Sequence, residues 1–520
     1  MCSIVGLQGN FKADDLIAML KTSKNRGKDA SGIFLDGKIQ KGIDLNDFND
    51  ENAYSLGLGH NLLAVHNLEN RTSHTQPIAK NTLTLVFNGE IYNYSSLKNL
   101  LAKLTKNDNI NSDSELLINL IDFYYQDDLL RAVTQVNNLL DGDYAYAVTD
   151  GINLAVSRDP LGVKPLFYTH NAFASSKQCL KGDIKTLKPG HILYNWEEIP
   201  PKTDIFQKRF ETDNRKLEKL LKLAVLKRVE DLNEVGVIFS GGVDSSLIAL
   251  LLREISLNKN LKVTLYAVGK KDSKDVVAAK CVAEYLGLPL KVHDITESIV
   301  KDSLKDVVQA IGENNLMKIG VGMTVYLASK MIAEDNIKVA ISGQGADELF
   351  GGYNRYLNSY RENTLDDELR YDMANMYHVN LERDDACSMA NGVELRLPFL
   401  DKNLVEFALN IPVRYKISGS DDKLRKNILR KTAFNLGLDK QIAYRPKKAA
   451  QYGTGIDKIL RKKVLKDTDI EEYLKYSLKL YLRTVTPYPI SNPVTGSIAV
   501  MIYFPGIRFI FKVAKPSLLV

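Results

Sequence analysis

The chain reads as two α/β units in series: a layered α/β/β/α sandwich of antiparallel strands, then an α/β domain built on a parallel sheet. Three observations predict this. From Met1 to about Tyr194, short alternating runs such as Thr82–Phe87 and Tyr144–Val148 read as antiparallel strands, with amphipathic helices near residues 14–24 and 114–126. From about Lys216 to Lys447, apolar strands at Val235–Phe239, Val263–Val268, Leu290–Ile295 and Lys338–Ile341 alternate with helical stretches, which implies a parallel sheet with crossovers. Between them, Asn195-Trp-Glu-Glu-Ile-Pro-Pro-Lys-Thr203 is marked by prolines and breaks periodicity, so a linker is expected there. The expected domains are 1–200 and 205–465, followed by a C-terminal extension, 466–520.

In chain order, chemistry begins at Cys2. With Met1 removed, a thiol and a free α-amine share one residue, and the amine, of unperturbed pKa about 8, can act as general base for its own nucleophile. Thiolate attack on a carboxamide creates an oxyanion that needs fixed donors, and Asn88 with the Gly89 N–H is the natural pair. Read without chemistry, Asn88-Gly89 is the signal of a two-residue hairpin turn. The string Cys2-Ser3-Ile4-Val5-Gly6 is followed by Asn25-Arg26-Gly27-Lys28-Asp29-Ala30-Ser31-Gly32, by Phe87-Asn88-Gly89-Glu90-Ile91-Tyr92-Asn93 and by Ser112-Asp113-Ser114-Glu115. In this order the strings resemble the class II glutamine amidotransferases, whose fold is that of the N-terminal-nucleophile hydrolases. The resemblance implies an oxyanion hole at Asn88 and Gly89. It also implies that Asp113, with Glu90, binds glutamine, Asp113 holding the α-ammonium by a charge-assisted hydrogen bond. One residue departs from the pattern. The family usually carries His-x-Arg-Leu-x-Ile, whose arginine binds the glutamine carboxylate, and here the string is His60-Asn61-Leu62-Leu63-Ala64-Val65. Leu62 cannot form that pair; Arg71 is either its substitute or an ordinary surface arginine.

The second unit opens with Gly236-Val-Ile-Phe-Ser-Gly-Gly-Val-Asp-Ser-Ser246, a buried-strand pattern running through a glycine turn into an apolar helix. Ser240, Gly241 and Gly242 free the backbone N–H groups for an anion, and Ser245 and Ser246 open a helix whose positive end faces the same point. No GxxxxGK[ST] accompanies it, and Asp244 inside the loop suggests Mg²⁺ bridging the phosphates instead of a lysine clamp. The loop resembles that of the ATP pyrophosphatases, which cleave ATP between the α- and β-phosphates. Further along come Ser342-Gly343-Gln344-Gly345-Ala346-Asp347-Glu348, the signature Leu381–Asp401 with Arg383, Asp385, Glu394 and Arg396, and Tyr444-Arg445-Pro446-Lys447-Lys448.

Together with the amidotransferase strings these resemble the glutamine-hydrolysing asparagine synthetase family over about residues 1–460. The resemblance implies ATP contacts at Phe239, Ser240, Gly241, Gly242, Asp244, Ser245, Ser246, Val268, Ser342 and Gly343, with Mg²⁺ shared by Asp244 and Asp347. It makes Lys447 a catalytic contact to the departing pyrophosphate. Bland alternatives are a turn aspartate at Asp347 and a solvated lysine at Lys447. Two departures bear on the acceptor. Members that make asparagine usually have Glu where this chain has Gln344, which cannot be a base, so water, Glu348 or the leaving phosphate takes the proton. Gly320 stands where a substrate-binding arginine is expected, with Lys318 the nearest cation in sequence.

Composition agrees. A net charge of +6, from 69 Lys+Arg against 63 Asp+Glu, is spread rather than clustered, so no nucleic-acid partner is expected. The four cysteines, Cys2, Cys179, Cys281 and Cys387, show no CxxC spacing, which disfavours disulfide and zinc frameworks and suits a cytoplasmic protein. No basic stretch followed by an apolar run opens the chain, so secretion is not indicated. The apolar run Ser497–Phe511 is shorter than the roughly 20 residues that span a bilayer and is broken by Pro505, so no membrane partner is expected. The expected function is synthesis of asparagine from aspartate with glutamine-derived ammonia, ATP and Mg²⁺, releasing AMP and pyrophosphate, in a protein that can form a homodimer. The alternatives are an amide ligase for another carboxylate, as in the β-lactam synthetase branch, and a non-catalytic glutamine or nucleotide sensor.

Overall fold

Period-two alternation decides the first unit. In the strand Ser3–Lys12, Ile4 packs with Phe34, Val86 and Ala147 in the layer between two sheets, while Val5 packs on the opposite face with Leu16 and Leu20 of the helix Ala13–Thr22. The strand Leu83–Ile91 behaves likewise: Val86 faces the other sheet, and Leu83, Leu85 and Phe87 pack with Leu116 and Leu120 of the helix Asp113–Tyr124. A seven-stranded and a six-stranded antiparallel sheet therefore stack face to face, with helices on both outer faces. This is the expected α/β/β/α sandwich. The computed structural model describes residues 2–48, 50, 52–65, 74–105, 109–202, 205–206, 214–446 and 454–465.

Asn88 and Gly89 do not form a turn. They lie inside the strand Leu83–Ile91, opposite Ala145 and Tyr144 of the strand Gly142–Thr149. The expected linker begins later than its composition suggested. Asn195 and Trp196, at φ 46° and 72°, form a two-residue turn that joins the strands Ile192–Tyr194 and Glu197–Ile199 at the edge of the six-stranded sheet. Asparagine tolerates the left-handed backbone a tight hairpin needs, so broken periodicity here marked a turn within the sheet.

The second unit is a five-stranded parallel sheet in the order Leu290–Asp294, Lys262–Gly269, Glu234–Ile238, Val339–Ile341, Glu394–Arg396. The first strand in sequence is central, and the chain winds outward from it in one direction and then the other. The strands Glu234–Ile238 and Val339–Ile341 thus flank a topological switch point, where open α/β sheets bind ligands at their carboxyl ends. Four strands fall where the sequence placed them; the fifth, Glu394–Arg396, was not expected. Of the described helices, Leu316–Glu334 is long and apolar enough to cross a membrane, yet it belongs to the protein core, with Ile319, Met323 and Leu327 fully packed.

Charged side chains interlock the two units. Arg26 Nη1 and Nη2 reach Asp385 at 2.6 and 3.2 Å with both residues buried, Lys338 Nζ reaches Asp29 at 2.9 Å, and Lys227 Nζ reaches Asp141 at 2.6 Å.

Candidate active sites

Cys2 enters the strand Ser3–Lys12 and packs against Ala30, Leu62 and Ala64. Its backbone N–H donates to Asn88 Oδ1 at 3.0 Å, so the nucleophile and the expected oxyanion donor are in contact. With Oδ1 engaged, Nδ2 is the donor Asn88 has left; it is buried and without a hydrogen-bond partner among the described residues. An unspent buried donor costs about 1–3 kcal/mol unless a ligand takes it up, and an oxyanion is such a ligand. Gly89 is required beside it, because a Cβ would lie 2.3 Å from the Asp143 carbonyl oxygen. Burial pushes the Cys2 thiol above its ordinary pKa, against the hydrogen bond of the Leu63 N–H.

Asp113 is the first residue of its helix, which Ser112 caps by accepting the Glu115 N–H at 3.2 Å. It accepts the Ile91 N–H at 2.9 Å, and burial raises it to about 6 despite that bond and the nearby Arg396. Glu90 lies beside it and holds Arg396 Nη2 at 2.7 Å. Two neighbouring carboxylates with a raised pKa form a receptor for an ammonium group. Leu62 is buried in the apolar cluster at Cys2, so the guanidinium expected there has no counterpart at that position. Arg71 lies outside the described residues. His60, in the same string, is fully buried and held neutral, its pKa pushed to about 3 by burial.

The second site opens at the switch point as a cleft of about 670 Å³. It is lined by Phe239, Ser240, Gly242, Asp244, Ser245, Val268, Ser342, Gly343 and Asp347 from the expected set. Gly241 has φ +66°, and a Cβ there would lie 2.7 Å from the Ala279 backbone N. Gly242 caps the helix Val243–Asn258. Ser246 is fully buried, with an Oγ that lacks a partner among the described residues. Arg445, of the late signature, fixes the loop from outside by donating to the Gly241 carbonyl at 3.0 Å while pairing with Asp275 at 3.2 Å. Lys447, two residues on, lies outside the described residues.

Asp244 and Asp347 come together, and a residue missed in the sequence lies between them. Lys426 Nζ is 2.6 Å from Asp244 Oδ2 and 2.6 Å from Asp347 Oδ1. Lys426 is almost wholly buried; burial alone would lower its pKa, but the two carboxylates outweigh that and hold it raised. Arg425 and Lys426 both adopt left-handed backbone, at φ 54° and 55°, and a Cβ on Gly352 would meet Asp347 Oδ1 and Lys426 Cε at 1.8 and 2.2 Å. Such strain persists only where surrounding contacts enforce it. Among the described residues no group of three or more His, Cys, Asp or Glu is placed to hold a metal. A phosphate-bound Mg²⁺ needs fewer, and the donors suit it: two hard carboxylates from separate loops converge, and Asp244 Oδ1 is buried with no partner among the described residues.

At the acceptor end, Gln344 and Glu348 both line the cleft. Glu348 is buried, its Oε1 accepting from Tyr353 at 2.7 Å and from Asn380 at 2.9 Å. Lys318 lines the same cleft but is engaged with Glu313 at 2.7 Å and the His378 carbonyl at 3.1 Å.

The family model for a glutamine amidotransferase domain matches residues 1–191, and that for asparagine synthase matches residues 216–365 and 358–476. The chain is 40% identical, over 89% of its length and 95% of the relative's, to a Methanocaldococcus jannaschii protein assigned as asparagine synthetase (glutamine-hydrolyzing) 1. It is 28% identical to the asparagine synthetase (glutamine-hydrolyzing) of Zea mays, over 88% of this chain and 78% of that one. It is also 28% identical to that of Rattus norvegicus, over 74% of each chain.

Proposed function

The chain belongs to the glutamine-hydrolysing asparagine synthetase family, and we propose that its two sites divide one reaction, ammonia release at Cys2 and carboxylate activation at the parallel-sheet cleft. It is an ATP-dependent ligase that makes asparagine from aspartate, with glutamine as amido donor. The observation that carries the assignment of roles is the Cys2–Asn88 contact with a buried Asn88 amide donor left over. With Met1 removed, the Cys2 α-amine takes the thiol proton, the thiolate attacks the glutamine carboxamide, and Asn88 Nδ2 with the Gly89 N–H receives the oxyanion. Glu90 and Asp113 take the glutamine α-ammonium.

In the cleft, the Ser240–Gly242 backbone and the positive end of the helix Val243–Asn258 receive ATP phosphates. Phe239, Val268, Ser342 and Gly343 complete the nucleotide contacts, and Lys447 meets the departing pyrophosphate. Asp244 and Asp347 would hold Mg²⁺, which when bound neutralises phosphate charge. Lys426 keeps those carboxylates together and adds a fixed cation of its own. With glutamine in the usual base position as Gln344, the proton of the attacking ammonia goes to water, to the leaving phosphate or to Glu348, one of the carboxylates that line the cleft. The four free thiols, of which Cys281 is exposed, support a cytoplasmic setting.

Cys2→Ala tests the division of labour. It is expected to abolish glutamate formation while added ammonium salt restores aspartate-dependent pyrophosphate release, more strongly toward alkaline pH as the free amine fraction rises. Undiminished glutamine use would remove Cys2 from the mechanism, and failed rescue of a folded variant would remove ammonia as the shared intermediate.

A further inference from the structure

Arg396 touches both sites. It ends the unexpected fifth strand of the parallel sheet, and its guanidinium crosses into the first unit to reach Glu90 at 2.7 Å. Its own carbonyl oxygen accepts the N–H of Ser342 at 3.3 Å, the first residue of the second nucleotide loop. One buried residue therefore joins the glutamine pocket through its side chain to the ATP cleft through its main chain.

The guanidinium is also held elsewhere. Asp231 accepts from Nη1 at 2.7 Å and from Nη2 at 3.2 Å, Glu394 accepts from Nε at 3.2 Å, and the Arg228 carbonyl accepts from Nη1 at 3.0 Å. Nη2 is thus shared between Glu90 and Asp231, and Arg396 can give up Glu90 without being left unpaired. An arriving glutamine presents a second cation, its α-ammonium, to the same carboxylate. Two cations centred on one Glu90 repel, and the one with other partners yields.

We propose that Arg396 is the positioning residue that couples the two sites: the glutamine α-ammonium displaces its guanidinium from Glu90 onto Asp231 and Glu394, and the shift reaches the nucleotide loop through the Arg396 carbonyl and the Ser342 N–H. Coupling of this kind is reciprocal, so occupancy of the cleft alters glutamine affinity by the factor that glutamine alters occupancy of the cleft. The inference rests on the reading of Glu90 as a glutamine contact.

The test is equilibrium binding of glutamine to the full-length protein in a Cys2→Ala background, which prevents turnover. It is measured with and without α,β-methylene-ATP plus aspartate. The parent is expected to show a change in Kd of about fivefold or more, and Arg396→Lys, whose single ammonium cannot span Glu90 and Asp231, a ratio near about one. Asp231→Asn gives the opposite displacement: with its rival gone, Glu90 is held more tightly by Arg396, so glutamine Kd without nucleotide rises, while ammonia-dependent synthesis is kept. A parent ratio of one, or a folded Arg396→Lys with the parent ratio, overturns the proposal. If Arg396→Lys does not fold, an unchanged Kd in Asp231→Asn overturns it. Failure of the underlying reading is seen separately, as a Glu90→Gln variant that binds glutamine like the parent.

Discussion

Asn88 Nδ2 is a donor kept dry and unspent beside a nucleophile, and its loss isolates what the oxyanion contact contributes. Asn88→Ala is expected to lower kcat for glutamine hydrolysis by about 10²–10³, the usual cost of one oxyanion donor, and to leave ammonia-dependent pyrophosphate release intact. Equal loss in both assays would instead mean that the site had collapsed. Asp113 gives a pH signature. Its carboxylate must be ionised to hold an ammonium, and burial raises its pKa to about 6, so the binding form disappears as pH falls through about 6. Glutamine KM should rise about tenfold per pH unit below that point, and Asp113→Asn should remove the dependence while raising KM throughout. A parent KM flat between pH 5 and 7 would exclude this role. Stability has a different window: the unfolded carboxyl loses its proton near about 4 and the folded one keeps it to about 6, so the unfavourable contribution builds up as pH rises from about 4 to about 6 and is fully present above that. Cys2, Asn88 and Asp113 were legible because each stands in a string whose residue types the chemistry demands. Lys426 was not: it is a lone lysine 182 residues from Asp244, and only the fold sets it between two carboxylates.

Among the elements, the strand-to-helix turn at Ser240–Gly242 was the most legible, since only glycine satisfies both its backbone and its neighbours. Gly241 at φ +66° approaches the Ala279 backbone, which cannot move aside as a side-chain tip can. Gly241→Ala should therefore distort the phosphate loop at a cost of about 1–3 kcal/mol, raising the ATP KM by one to two orders of magnitude. Glutamine hydrolysis at ambient ammonia should persist. An unchanged ATP KM would take this loop out of phosphate binding. The strand Glu394–Arg396 was illegible for the converse reason. It is a three-residue strand at the edge of the sheet, and its buried Glu and Arg lack the apolar run that announces a buried parallel strand. Its burial is made possible by ion pairing, with Lys164 Nζ 3.5 Å from Glu394 Oε1, and no local pattern reveals partners 230 residues away. The Asn195-Trp196 hairpin shows a related limit: turn chemistry marks a reversal, but whether strands pair on either side depends on the sheet already there.

On the scale of the whole molecule, the sites matter to each other only if the two units stay in register, and buried charge pairs hold that register. Arg26 and Asp385 come from different units and bond at 2.6 and 3.2 Å in a contact that leaves both almost inaccessible. Both also line a cavity of about 280 Å³ between the units. Breaking such a pair costs more than the pair contributes, because the surviving charge stays buried without its partner; about 3–5 kcal/mol is typical. Arg26→Ala should lower the free energy of urea unfolding by about that amount, and the double variant Arg26→Met, Asp385→Leu should regain most of it, since replacing both charges by apolar groups removes the orphan. A surface-like pair would instead cost under about 1 kcal/mol, and the double variant would then be no better than the single. The two outcomes differ in function as well. If Arg26–Asp385 closes the boundary between the units, the folded double variant should release ammonia to solvent, and glutamate formed per asparagine should rise above one. Stability restored with that ratio still at one would make the pair a fastening and nothing more; a raised ratio at restored stability would place ion pairing between the units, rather than either active site alone, in control of how efficiently ammonia is delivered.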